Sequence, residues 1–144
     1  MSEKILIVDD ELDMLELLEL IITDRTSYQV VTVSDPLKVP ELLQEGDFDL
    51  LISDLRMPQM DGMELLDRVR QIDSQLPYII LTAYGTVESA IEAMRKGALD
   101  YITKPFRQEQ ILLTVEKALK FRRLQKENLA LKKELETLRL KQQG

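Results

Sequence analysis

The 144-residue sequence contains no cysteine and no histidine. Without cysteine the chain has no disulfide, no thiolate nucleophile and no Cys-based zinc site. Without histidine it has no Ser-His or Cys-His nucleophile pair and no phosphohistidine, and His-rich transition-metal sites are excluded. The chemistry that remains is that of oxygen ligands around a hard cation such as Mg²⁺.

Long apolar runs are also missing. No run reaches the roughly 18 residues that a membrane span needs, and no basic region followed by an apolar stretch opens the chain, so we predict no signal peptide. Apolar residues make up 44% of the chain and charged residues 31%, which is typical of a soluble globular protein. We therefore expect a cytoplasmic protein.

Charge is unevenly distributed along the chain. The formal net charge is −7, but residues 120–141 contain eight Lys or Arg against three Glu, which gives +5 and leaves −12 for the rest. An acidic body joined to a basic tail suggests two parts with different roles. We place the boundary near Leu119 and predict one domain over residues 1–119 and a helical linker over 120–144.

Strand-like and helix-like patterns alternate five times in the sequence. The predicted strands are Lys4–Val8, Tyr28–Val33, Phe48–Ser53, Tyr78–Leu81 and Leu99–Thr103. The predicted helices cover 10–25, 35–45, 63–72, 86–97 and the chain from near Arg107 onward. Strict alternation of this kind predicts an α/β fold with a doubly wound five-stranded parallel sheet and helices on both faces.

Three of the helices carry specific local expectations. Pro40 removes a backbone donor and should delay or distort the second helix. Thr86 should be a simple N-cap, because Ser89 stands where a capping box has Glu or Gln. Two apolar stripes are expected to face inward. They are Leu65, Leu66, Val69 and Ile72 in the third helix, and Val87, Ala90, Ile91 and Met94 in the fourth.

Polar side chains follow four of the five predicted strands. Asp9–Asp10, Asp54, Thr82 and Lys104–Pro105 each come where an apolar strand stops. In an open parallel sheet, ligands bind outside the carboxyl ends of the strands, so these groups should share one pocket. Each signal alone is more often a turn or cap residue, and we assign no chemistry to the turn Asp61–Gly62.

The predicted pocket suits phosphoryl transfer. Three carboxylates held close together repel one another unless a cation neutralises them, and Mg²⁺ accepts carboxylate ligands while keeping several waters. The metal, Lys104 and the Thr82 hydroxyl could hold the oxygens of a phosphoryl group. Asp54 stands alone at a strand end and is the best candidate for the attacking carboxylate, whereas the adjacent Asp9 and Asp10 suit metal binding.

This combination of residues resembles the receiver domain of two-component response regulators. The matching residues are Asp9–Asp10, Asp54 with Met57–Pro58 and Asp61–Gly62, Thr82–Ala83, and Lys104–Pro105–Phe106. The match covers about residues 4 to 119. The resemblance implies a flavodoxin-like strand order, 2-1-3-4-5, and a phosphoacceptor domain that catalyses only its own phosphorylation and dephosphorylation.

The resemblance also implies roles for the site residues. Asp54 would accept phosphate from a sensor histidine kinase. Asp10, Asp54 and the backbone carbonyl of Arg56 would bind Mg²⁺ directly, and Asp9 would act through water. Lys104 would pair with the phosphoryl oxygens.

Two further residues would form a switch. Thr82 would move to bind the phosphate, and Tyr101 would turn inward behind it; from spacing alone, Tyr101 is simply a packing residue of a short strand.

The peptide bond between Lys104 and Pro105 is cis in the family. Two residues depart from the family pattern. They are Pro40 in the second helix and Arg56, at a position that influences phosphate lifetime.

A heptad pattern runs through the basic tail. Positions a are Phe121, Asn128 and Leu135, and positions d are Leu124, Leu131 and Leu138. One asparagine at an a position favours two parallel strands in register, and Glu127 and Glu134 at g can meet Lys132 and Arg139 at e of a partner. We predict a parallel homodimer. The alternatives are a solvated single helix or one packed on its own domain.

No base-reading motif accompanies the basic charge of the tail, so we predict no nucleic-acid binding.

Two segments indicate the branch of the family. Residues 83–88 and 93–98 resemble the receivers of nitrogen-regulator-type, sigma-54-dependent activators, in which an AAA+ ATPase and a DNA-binding domain follow a helical linker. The sequence contains no Walker motif and no helix-turn-helix, so we expect it to be the N-terminal regulatory part of a longer activator.

Three alternative functions are open to a chain of this pattern: a receiver of another output class, a phosphorylation-independent dimerisation module, and a metal-dependent phosphatase. The phosphatase is disfavoured because Arg56, rather than an acid, lies two residues after Asp54.

Overall fold

Five short strands pair into one parallel sheet with the order β2-β1-β3-β4-β5. The structure is a computed structural model that describes residues 3–143. The strands are β1 Lys4–Val8, β2 Gln29–Val33, β3 Leu50–Ser53, β4 Tyr78–Thr82 and β5 Asp100–Thr103. The predicted fold class and strand order are confirmed. The strands match the predicted ones to within two residues at each end.

Helices cover both faces of the sheet. They are α1 Leu12–Arg25, α2 Val39–Glu45, α3 Gly62–Ile72, α4 Val87–Arg95 and α5 Gln108–Gln143. Alternate residues of the central strands point to opposite faces: Leu6 and Val8 join the core under α2, α3 and α4, whereas Ile5 and Ile7 join the core under α1 and α5. Among the described helices, none is both long enough and apolar enough to cross a membrane.

The second helix begins late, as we expected from Pro40, and a 3₁₀ turn precedes it. Asp35 caps a short 3₁₀ turn, Pro36–Lys38, by accepting a hydrogen bond from the N–H of Leu37 at 3.0 Å. The α-helix then begins at Val39, with Pro40 in its first turn, where the missing N–H costs nothing.

Two expectations about buried helix faces were wrong. Ile72 is 37% exposed at the end of α3, and in α4 the side chains of Val87, Ile91 and Met94 are 77%, 49% and 50% exposed. Only Ala93 is buried in α4. Periodicity identifies an apolar face, but it does not say whether anything covers that face within the same chain.

The N-terminus of α4 also differs from its prediction. Thr86 and Ser89 form a reciprocal capping box: the Ser89 N–H donates to the Thr86 hydroxyl, and the Thr86 N–H donates to the Ser89 hydroxyl. A serine hydroxyl can accept the returning bond that Glu or Gln usually accepts. The simple cap that we expected is therefore wrong.

The last helix is continuous from the domain into the tail. Its first turns bury Ile111, Val115, Ala118 and Leu119 against the sheet, and the helix then runs without a break to Gln143. The predicted boundary near Leu119 stays a prediction, because one uninterrupted helix crosses it.

Candidate functional site

Three aspartates meet at the carboxyl edge of the sheet. Asp9, Asp10 and Asp54 each offer a carboxylate oxygen, and these oxygens lie within 4.8 Å of one another. The sheet explains the meeting: β1 and β3 pair Val8 with Ser53, and the Asp54 N–H donates to the Val8 carbonyl at 3.1 Å. Asp9 and Asp54 are almost fully buried, whereas Asp10 is exposed. The cluster is therefore closed behind and open on one side.

Lys104 reaches the same cluster from the end of β5. Its Nζ lies 3.3 Å from Asp9 Oδ2 and 3.8 Å from Asp54 Oδ2, and its side chain is largely buried. The pairing of Thr82 with Thr103 brings Lys104 into place, and the Lys104 N–H donates to the Thr82 carbonyl at 2.8 Å. The Lys104–Pro105 peptide is cis, as the resemblance implied.

Each buried carboxylate uses one oxygen to accept a backbone N–H. Asp54 Oδ1 accepts from Leu55 at 2.7 Å, and Asp9 Oδ1 accepts from Glu11 at 2.9 Å. The remaining oxygens, both Oδ2, lie toward Lys104. These bonds fix the side chains and leave one oxygen of Asp54 for other chemistry.

The electrostatic balance of the cluster is negative. Burial raises the pKa of Asp9 above its ordinary value, and the charge of Asp54 acts in the same direction, while the Glu11 N–H and Lys104 lower it without offsetting burial. Among residues 3–143, Lys104 is the one cation within 4.0 Å of these carboxylates, and it pairs with Asp9 and Asp54. The all-oxygen donor set, with Asp10 on the open side, therefore fits a hard divalent cation such as Mg²⁺.

The turn that follows Asp54 contributes more than its sequence suggested. Asp61 caps α3 by accepting the Glu64 N–H at 2.8 Å, and the Gly62 N–H donates to the Leu55 carbonyl at 2.7 Å. A Cβ on Gly62 would collide with the backbone carbonyl oxygen of Asp54. The glycine thus lets α3 begin directly against the Asp54 backbone. Asp-Gly predicts a turn, but the sequence has no signal for this close approach.

The two residues expected to form a switch have separate partners. Thr82 is fully buried, and its hydroxyl oxygen accepts the N–H of Tyr84 at 3.1 Å. Tyr101 is half-buried, and its hydroxyl lies 2.7 Å from the Ser89 hydroxyl of the α4 capping box. A Cβ at Gly85 would lie 2.6 Å from the Tyr101 hydroxyl, so glycine there makes room for the ring. No pattern in the sequence indicates the contact between Ser89 and Tyr101.

The mouth of the site is a groove beside Asp10. The Arg56 guanidinium lies 5.1 Å from the centre of the Tyr84 ring, within the range of a cation–π contact. A cavity of about 530 Å³ opens here, lined by Asp10, Glu11, Arg56, Met57, Pro58, Asp61 and Tyr84. The exposed Asp10 carboxylate is thus reachable from solvent.

The a and d residues of the predicted homodimer, which we call the dimer seam, lie on the exposed part of α5. Phe121, Leu124, Leu131, Leu135 and Leu138 are between 45% and 64% exposed, and Asn128 is exposed as well. These side chains form an apolar stripe away from the carboxylate cluster. The dimer itself stays a prediction.

Comparison with known proteins agrees with this geometry. Residues 5–116 match the sequence model of the family described as the response regulator receiver domain. The chain is 37% identical over 120 residues to the transcriptional regulatory protein ZraR of Klebsiella oxytoca, covering 83% of this chain and 27% of that protein. It is 36% identical over 129 residues to the C4-dicarboxylate transport transcriptional regulatory protein DctD of Pseudomonas aeruginosa, covering 90% of this chain and 28% of that protein.

Solved structures give the same result. NtrX from Brucella abortus superposes with a TM-score of 0.83 at 31% identity, covering 91% of this chain and 30% of NtrX. A response regulator receiver domain protein from Clostridium thermocellum gives 0.79 at 29% identity and is covered over 98% of its length. The chain thus spans about a quarter of the length of the curated relatives ZraR and DctD.

Proposed function

This chain belongs to the response regulator receiver domain family and is a regulatory phosphoacceptor domain of the two-component type; from that premise we propose that Asp54 is its phosphoacceptor. The observation that carries the proposal is the meeting of Asp9, Asp10, Asp54 and Lys104 at one sheet edge. Asp54 follows the central strand β3, with one oxygen held by a backbone N–H and the other beside Lys104.

The same residues are proposed to hold Mg²⁺. Asp10, Asp54 and the backbone carbonyl of Arg56 are the direct protein ligands, and Asp9 acts through water. When bound, Mg²⁺ supplies the positive charge that a transferring phosphoryl group needs. Three carboxylates that have, in the part of the chain that the structure describes, one ammonium group within ion-pair distance support this assignment.

The proposed reaction is an in-line displacement at phosphorus. One Asp54 oxygen attacks the phosphoryl group, the bond from phosphorus to the donor breaks, and the donor leaves with the electron pair. Lys104 neutralises charge on the phosphoryl oxygens, and the Thr82 hydroxyl donates to one of them once it has left Tyr84. Because this chain contains no histidine, a phosphohistidine donor must come from another protein, which we propose is a sensor histidine kinase.

The surface that responds to phosphorylation is proposed to be that of α4. Movement of Thr82 toward the phosphate would free space for Tyr101 to turn inward, which breaks its bond to Ser89. Ser89 also belongs to the cap of α4, so the start of that helix would be disturbed. Val87, Ile91 and Met94 are exposed on this helix and are available to a partner.

The tail is proposed to join two copies in parallel. The exposed stripe of a and d residues and the complementary charges of Glu127 with Lys132 and Glu134 with Arg139 support this arrangement. Sedimentation of the whole chain at tens of micromolar would give a dimer. Leu131→Lys, at a d position, should give monomers, whereas the control Ala130→Lys, at the exposed c position, should not. A wild-type monomer, or dissociation by both variants alike, would contradict the seam.

The longer protein is proposed to be a cytoplasmic sigma-54-dependent activator. ZraR and DctD are transcriptional regulatory proteins almost four times as long as the matched segment. An AAA+ ATPase domain following the long helix would be the output that phosphorylation controls. We propose no direct nucleic-acid binding by residues 1–144.

Intact-mass spectrometry tests the phosphoacceptor directly. After incubation with acetyl phosphate and Mg²⁺, the wild type should gain one phosphoryl group and Asp54→Asn should gain none. Asp47→Asn is the matched control, because Asp47 is an exposed aspartate that precedes the opposite end of β3. No gain in the wild type, or an equal gain in Asp54→Asn, would reject Asp54 as the acceptor.

A further inference from the structure

Beyond Leu119, the long helix still contacts the domain through three cations. Arg122 donates to Asp73 Oδ2 at 2.8 Å and to the Phe48 carbonyl at 3.3 Å. Two further bonds join Arg123 to Glu3 and Lys126 to Asp49, at 2.8 and 2.6 Å. We call Arg122, Arg123 and Lys126 with their three carboxylates the ionic clamp.

The three carboxylates come from separate parts of the fold. Glu3 precedes β1, Asp49 precedes β3, and Asp73 is the C-cap of α3. Asp49 is itself fixed, because it is buried and accepts the N–H of Lys4 at 3.0 Å. A helix tied to three segments cannot swing or rotate without breaking several contacts at once.

Arg122 is the most deeply placed member of the clamp. Its side chain is about nine-tenths buried, which is unusual for a surface helix and costs free energy unless the charge is paired. Burial alone would raise the pKa of Asp73, but the hydrogen bond from Arg122 and backbone N–H groups lower it overall. The pair thus favours its charged form despite its partial burial.

The clamp occupies the outer face of the heptad. Arg122, Arg123 and Lys126 are at positions b, c and f, which lie opposite a and d on a helix. The a residue Phe121 and the d residue Leu124 are 45% and 54% exposed, and Phe121 also borders a cavity that is lined by Leu76 and Leu99 of the domain.

The clamp and the carboxylate cluster lie at opposite ends of the same two central strands. β1 has Glu3 before it and Asp9 after it, and β3 has Asp49 before it and Asp54 after it. The two sites are therefore separated by four to five strand residues, or roughly 15 Å of sheet. The sheet, acting as a rigid spacer, fixes the direction of the helix relative to the phosphoacceptor site.

We propose that Arg122, Arg123 and Lys126 are positioning residues that hold the long helix in one rotation and direction, so that its a and d face is presented to a second copy of this chain. The clamp makes the helix part of the receiver as far as Lys126. Only the second-copy part of this inference rests on the proposed dimer, since the orientation of the helix is a property of one chain.

Spin-label distance measurements test the clamp. The chain contains no cysteine, so Gln44→Cys on α2 and Glu136→Cys on the tail, both at positions outside the buried core, introduce the only two labels. Labelled chains are diluted in excess unlabelled wild-type chain, so that only distances within one chain are observed. The clamp variant Arg123→Gln/Lys126→Gln keeps buried Arg122 and should fold, and its distance distribution should be at least about twofold wider than that of wild type, as expected for a freed hinge.

Three further variants make the result specific. The control Lys133→Gln/Lys141→Gln removes two cations farther along the tail and should leave the distribution unchanged. Arg123→Glu should widen the distribution, and Glu3→Arg/Arg123→Glu, which reverses that pair, should narrow it again.

The outcomes separate the two proposals. An unchanged distribution in Arg123→Gln/Lys126→Gln, or equal widening in the control, would overturn the clamp whether or not the chain dimerises. Widening in a chain that sediments as a monomer would support the clamp as an intramolecular device and overturn its second-copy part along with the dimer.

Discussion

Replacing the Asp54 carboxylate should stabilise the Mg²⁺-free protein and should remove the stabilisation that Mg²⁺ provides. At an effective dielectric constant of about 20, two carboxylates at most 4.8 Å apart repel by about 3.5 kcal/mol or more, whereas Asp54 and Lys104 at 3.8 Å attract by about 4.4 kcal/mol. Asp54 faces two carboxylates, so its charge is net unfavourable. After allowing for screening at exposed Asp10, Asp54→Asn should gain about 1–2 kcal/mol.

Unfolding with and without Mg²⁺ measures both parts of this prediction. Asp54→Asn should raise the melting temperature of the Mg²⁺-free protein by about 3–6 °C. In the wild type, Mg²⁺ at ten times its dissociation constant should stabilise by about 1.4 kcal/mol, and this gain should largely vanish in the variant because a ligand and a charge are gone.

Asp47→Asn separates local repulsion from net charge. It changes the net charge by the same amount, but Asp47 borders a cavity that is also lined by Lys4, Arg122, Arg123 and Lys126. It should therefore not stabilise, and its response to Mg²⁺ should equal that of wild type. A destabilised Mg²⁺-free Asp54→Asn, or one that Mg²⁺ stabilises as much as wild type, would contradict net repulsion at Asp54.

Three further changes test individual contacts by urea unfolding. Tyr78→Phe should cost about 0.5–1.5 kcal/mol, because it removes the hydrogen bond that the buried Tyr78 hydroxyl donates at 2.8 Å to the Gly62 carbonyl at the start of α3; no loss would contradict this. Ser89→Ala should cost about 1 kcal/mol, and its effect should be non-additive with Tyr101→Phe because both remove one shared bond; strict additivity would deny the bond. Folding lowers the pKa of Asp73. The ionised Asp73 carboxylate therefore stabilises the fold fully at pH values above its unfolded pKa of about 4, and this stabilisation is lost as the pH falls through the lower folded pKa. Asp73→Asn should accordingly cost about 0.5–1 kcal/mol at pH 7 and less at pH 3, whereas an equal cost at both pH values would deny the pair with Arg122.

The order of the sheet and the members of the carboxylate cluster could be predicted because both depend on local signals. Each strand is a short apolar run, and each of Asp9, Asp54 and Lys104 follows such a run directly. Once strands are parallel and adjacent, their ends must meet. The sequence therefore placed the site without any knowledge of side-chain conformations.

Contacts between distant segments could not be predicted in the same way. The bond between Ser89 and Tyr101 depends on how α4 lies over β5, and the pairs of the ionic clamp join the tail to residues up to 120 positions away. Solvent exposure was missed for a similar reason: the apolar residues Val87, Ile91 and Met94 have the spacing of a buried stripe, yet no element of the described chain covers them. Such a face is typical of a surface that another protein covers.

The roles assigned to the site residues are tested most directly by a crystal structure with Mg²⁺ and beryllofluoride, which stands for the phosphoryl group. We predict beryllium bound to an Asp54 oxygen, a fluorine paired with Lys104 Nζ, and Mg²⁺ bound by Asp10, Asp54 and the Arg56 carbonyl. Beryllofluoride or Mg²⁺ bound elsewhere, with the Asp54 carboxylate left free, would contradict it.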